Sequence, residues 1–97
     1  MTSTLQEQQV KFEAWLEERS KFCYFNYLSE EERLVLACDI LASMSGLPEL
    51  AVQRMTEAQA IYRDKWRERG KAGNRKEALE EAADLLVYGF FESECEE

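Results

Sequence analysis

Apolar residues recur at three- and four-residue steps through most of the chain, which is helical spacing rather than the alternation of strands. Phe12, Trp15, Leu16, Arg19, Phe22 and Cys23 outline a first amphipathic helix, with Gln6, Glu7, Gln9, Glu13, Glu17 and Glu18 on its other faces. Thr4 and Glu7 stand in capping-box spacing at its start. Ser29 and Glu32 repeat that spacing before Leu34, Val35, Leu36, Ala37, Cys38, Ile40, Leu41 and Met44. These residues are apolar on more than one side, so a central helix covered by its neighbours and closing at Gly46 is expected. Pro48 suits the first turn of a third helix, whose buried stripe would run Leu50 or Ala51, Met55, Ala58, Ile61 or Tyr62, and Trp66. Gly70 and Gly73 predict a short loop, after which Asn74 and Glu77 cap a fourth helix with its stripe at Ala78, Leu79, Ala82, Leu85, Leu86, Gly89 and Phe90.

The aromatic stretch Phe22 to Leu28, FCYFNYL, is the most strand-like in the chain. Without a partner strand it reads as an extension of the first helix or a tight apolar bend. The expectation is therefore an all-α fold, either a small four-helix bundle or a compact orthogonal helical domain. It spans 1–97 as one domain, with an acidic tail over 92–97. The surplus of aromatic and apolar surface makes a homodimer an expected partner state.

Composition narrows the function classes. The 97 residues hold one proline, four glycines and no histidine. Lacking histidine, the chain has no serine–histidine or cysteine–histidine nucleophile and no histidine metal site. Cys23, Cys38 and Cys95 are far apart and form no zinc pattern. They read as reduced thiols in a cytoplasmic setting, two of them in the core. The N-terminus shows no secretory signal, and no apolar run approaches the ~20 residues of a membrane span.

The net charge of −8 weighs against direct nucleic-acid binding, whose affinity comes mainly from neutralising phosphates. The charge is segregated, however. Residues 63–76 hold seven basic and two acidic residues, a local +5, and leave −13 to the rest. Trp66 lies among Arg63, Arg67, Arg69 and Lys71, with Arg75 and Lys76 beyond. Arginines around a tryptophan are frequent interface anchors, so these seven residues form the expected binding site. It would face an acidic surface, either a partner protein's or a second copy's glutamate tail. GKAGNRK, Gly70 to Lys76, lacks the spacing of a phosphate-binding P-loop. Amides at the start of the fourth helix offer a weaker anion site, which Asn74 and Glu77 would satisfy themselves.

Glu77, Glu80, Glu81 and Asp84 form a carboxylate stripe on the fourth helix. EEAADLLVY, Glu80 to Tyr88, resembles the ExxD helix of the MazG-type all-α nucleotide pyrophosphohydrolases, with Glu81 and Asp84 at the motif positions. The resemblance implies a Mg²⁺-dependent activity with Glu77, Glu81 and Asp84 as metal ligands. The family's preceding helix carries an EExxE set, which this chain lacks. The leading expectation is a small acidic helical protein acting by protein–protein interaction, as an inhibitor or adaptor, with no cofactor and no catalytic residue. The pyrophosphohydrolase and a nucleic-acid mimic presenting the −13 remainder are the alternatives.

Overall fold

The computed structural model describes residues 4–21 and 25–95. Phe22, Cys23 and Tyr24, the first three residues of the aromatic stretch, lie outside the described residues, as do Glu96 and Glu97 of the tail. The fold is all-α. Its helices are α1 (Leu5–Ser20), α2 (Glu30–Ala42), α3 (Leu47–Tyr62) and α4 (Lys65–Glu94), and no strand occurs among the described residues. Among the described residues no single helix is long and apolar enough to cross a membrane.

Local chemistry accounts for where three of them begin. The Thr4 hydroxyl accepts a hydrogen bond from the Glu7 amide at 3.1 Å, satisfying one of the free donors that open α1. At α2 the capping box is complete. The Glu32 amide donates to Ser29 Oγ at 3.1 Å, and the Ser29 amide donates to Glu32 Oε1 at 2.9 Å. Pro48 stands in the first turn of α3, where its missing N–H costs no intrahelical bond.

The Ser29 amide, with its hydroxyl second, holds the Glu32 carboxyl below the usual carboxylate range. A carboxyl lowered in the folded state contributes stability above its unfolded pKa and loses it as pH falls through the folded value. Ser29→Ala is expected to cost about 1 kcal/mol at neutral pH, the usual loss on removing a serine cap. Because alanine at 29 keeps the amide that is the larger cause, Glu32→Ala tests the coupling: its gap in urea midpoint from the parent should narrow in acid, once Glu32 of the parent is protonated. A gap that is constant with pH would disprove the coupling.

Three expected boundaries move. α2 ends at Ala42 rather than Gly46, because the Ser43 hydroxyl takes the Ile40 carbonyl at 2.6 Å and its amide turns back to the last carbonyls. Gly46 adopts φ 83° as the N-cap of α3, so its left-handed freedom opens the next helix instead of closing the last. The loop between Gly70 and Gly73 contracts to one residue. Gly70 alone takes φ 70°, ψ −174°, a region open essentially only to glycine, and the helix resumes at Lys71. Asn74 therefore lies inside α4, four residues past Gly70, and the first-turn amides are those that follow Gly70 rather than those that follow Asn74.

The chain divides into two compact units, 1–23 with 72–97 and 24–71. In the first, Phe90 is the buried residue, 4% exposed. Its ring lies 5.1 Å from that of Phe12 and meets Trp15 edge-on at 5.8 Å, a favoured aromatic geometry. Gly89 faces the same indole, where a Cβ would lie at an ordinary van der Waals distance of 3.5 Å. Arg19 lies over that indole, its guanidinium carbon 3.7 Å from the ring centre. The indole Nε1 is buried without a hydrogen-bond partner among the described residues.

In the second unit α2 packs on α3, the two turning by 110° at their junction. The Lys71 ammonium pairs with Glu31 Oε1 at 2.8 Å, and Arg33 Nε donates to the Phe25 carbonyl at 3.1 Å. Contrary to the expected central helix, no residue of α2 is buried; Leu34, Leu36 and Leu41 are half-covered while Val35 and Ile40 are exposed. The stripe foreseen for α3 is likewise open, Met55 and Ile61 included. A single neighbouring helix covers only one side of an apolar helix, which leaves the others to solvent. Cys38 and Cys95 are exposed free thiols rather than core residues. Phe25 to Leu28 form a tight turn leading into Ser29, the Leu28 amide donating to the Phe25 carbonyl at 3.0 Å.

Candidate functional site: the pocket at the α3–α4 corner

α3 ends where Arg63 is held at φ 52°, ψ −117°, and α4 starts two residues later at Lys65. Arginine has a Cβ that crowds the backbone at positive φ, so this conformation costs roughly 1–3 kcal/mol. The tight corner brings the end of one helix against the start of the next. It forms an open pocket of about 440 Å³ within the second unit.

Met55, Ala58, Tyr62 and Trp66 supply its apolar lining, with Gln59 beside them. Arg63, Lys65 and Arg69 supply the rim. Trp66 is 47% exposed although it bears a large apolar ring. The Lys65 ammonium lies 5.9 Å from the Tyr62 ring centre, and the Arg67 guanidinium carbon lies 5.0 Å from that of Trp66. Such exposed cation–π contacts contribute about 0.5–1 kcal/mol and hold the charges beside the aromatic surface. Among the described residues, Arg63, Lys65, Arg67 and Arg69 form no ion pair with a carboxylate. An apolar floor with unpaired cations around it can receive an apolar side chain flanked by carboxylates.

Of the seven residues expected to bind, Arg63, Trp66 and Arg69 line the pocket, and Arg67 stacks on Trp66. Lys71 is engaged with Glu31. Arg75 and Lys76 belong to the other compact unit and are no part of this pocket. Sequence reasoning assigned Met55, Ala58 and Tyr62 to the core and left Lys65 out of the site. The Tyr62–Trp66 pair one turn apart, with Lys65 between them, was the available signal. Asp64, which follows the strained arginine, uses its carbonyl to accept from the Arg67 amide at 2.9 Å and so starts the turn of α4.

The carboxylates of α4 are arranged differently. Glu77, Glu81 and Asp84 lie along the exposed side of one helix. Among the described residues no group of three or more histidine, cysteine, aspartate or glutamate side chains comes together as a metal-holding cluster. Comparison with protein-family models, curated proteins and solved structures finds no match.

Proposed function

We propose that this chain is a small acidic helical protein that acts by binding another protein, as an inhibitor or adaptor, through the pocket at the α3–α4 corner. The observation that carries this reading is the apolar pocket rimmed by arginines and a lysine that have no carboxylate partner among the described residues. Clustered like charges repel, and an exposed ion pair contributes only ~0–1 kcal/mol, so internal pairing is a weak reason to gather them. An acidic segment with one apolar side chain satisfies both parts of the pocket. Arg63's strained backbone supports the reading, since strain of this kind concentrates at binding sites. The 110° turn between α2 and α3 favours an orthogonal helical arrangement over a parallel-sided bundle. Two exposed free thiols fit a reducing, cytoplasmic setting.

A photoreactive amino acid at Gln59 tests the proposal in lysate of the native host. Captured proteins should be joined through acidic segments, and capture should fall with Arg63→Glu and Arg69→Glu combined but not with Lys21→Glu. Equal capture by the pocket variant and the parent would defeat it.

A further inference from the structure

We infer that the acidic outer face of α4 from a second copy occupies this pocket, so that self-association regulates access to it; the inference rests on the reading of the pocket as a site for acidic segments. Glu81, Leu85, Tyr88 and Glu92 follow one another at steps of four, three and four and therefore line up along one side of α4. Asp84 lies beside them. Phe90 points the opposite way, into Phe12 and Trp15, which fixes the outer face toward solvent. Leu85 is 54% and Tyr88 70% exposed, two large apolar side chains set among three carboxylates.

The two surfaces complement each other group by group. The pocket offers Met55, Ala58, Tyr62 and Trp66 to an aromatic ring, and Arg63, Lys65 and Arg69 to carboxylates. Glu81, Asp84 and Glu92 form no ion pair among the described residues, and neither do the rim cations. The compact unit that carries the stripe has twelve acidic and five basic residues, whereas the pocket's unit has eight and seven. Charge therefore steers the stripe of one copy toward the pocket of another and disfavours stripe against stripe. A short amphipathic helix laid into an apolar groove is a common recognition mode. A pocket filled in this way is closed to other acidic partners until they displace the second copy.

Sedimentation velocity of the full chain tests the inference. At about 50 mM salt the mass should rise with concentration, and at about 500 mM salt it should fall back toward the monomer, as expected for charges within screening range. Arg63→Glu with Arg69→Glu should weaken association about tenfold or more, and so should Glu81→Lys with Asp84→Lys. An equimolar mixture of the two variants should regain it. Tyr88→Ala, a neutral change on an exposed helical face, should weaken association with helix content unchanged, and it serves if a charge variant does not fold. A parent that is monomeric at about 100 µM in low salt, or a mixture that stays monomeric while the parent associates, overturns the inference. An acetylated and amidated Glu-Glu-Tyr-Glu-Glu peptide then separates the two levels. If it still changes Trp66 fluorescence in the parent but not in the Arg63→Glu/Arg69→Glu variant, only self-docking fails; if it binds to neither, the pocket reading fails with it.

Discussion

Phe90→Ala is expected to cost the first compact unit about 3–5 kcal/mol, the usual loss when a buried phenylalanine is truncated to alanine. Phe90 is the buried side chain of the described residues, and Phe12 and Trp15 both rest on its ring. Between α1 and the second half of α4, Phe90 is the buried side chain among the described residues, and the exposed Lys11–Glu94 ion pair at 3.8 Å adds little beside it. Among the described residues the Trp15 Nε1 has no hydrogen-bond partner, so the indole's position depends on packing and on Arg19 above the ring. The near-ultraviolet circular dichroism of Trp15 should collapse in the variant while far-ultraviolet helicity falls less, since α1 keeps its Thr4 cap. A change in stability below about 1 kcal/mol would show that this aromatic cluster does not hold the unit together.

Arg63→Gly should be more stable than Arg63→Ala by roughly 1–3 kcal/mol, the cost of a side chain at an unfavourable positive φ. Both substitutions remove the guanidinium, so the comparison isolates the backbone at φ 52°, ψ −117°. The order is the reverse of that in a helix interior, where glycine is the poorer residue by about 1 kcal/mol. The same glycine should weaken docking at the pocket, because Arg63 supplies part of the rim. Stability gained with binding lost is the pattern of strain retained for function. Denaturant titration of the two variants provides the check. Equal stability, or alanine ahead, would mean that the corner relaxes at no cost.

The starts of α1, α2 and α3 were legible because their causes are local, whereas α4 begins at Lys65 and not at the expected Asn74. The Ser29–Glu32 box, the Thr4 cap and Pro48 each act within three or four residues, a range in which sequence neighbours are also spatial neighbours. The cationic segment was equally legible, and four of its residues line the pocket together with a tyrosine and a methionine expected in the core. Glycine was ambiguous for a local reason too. Gly46, Gly70 and Gly73 all permit a turn, and permission does not say which of them is used. The structure uses the first to open α3 and the second to kink α4, and it runs helix through the third.

Burial could not be read in the same way. Periodicity shows which residues share a face, but whether that face is covered depends on which helix arrives from elsewhere in the chain. Leu34 to Met44 of α2 and its flank carry more apolar residues than the end of α4, yet within its unit α2 packs chiefly on α3 and stays largely exposed. Phe90 stands in a more polar helix and is buried, because α1 brings Phe12 and Trp15 to it across most of the length of the chain. Charge, caps and helical faces were thus properties of the sequence by itself. The corner at Arg63, the opening of the pocket and the choice of Phe90 as core were decided by tertiary structure, because each needs contacts between residues that the chain order keeps apart or a backbone angle that no side chain signals.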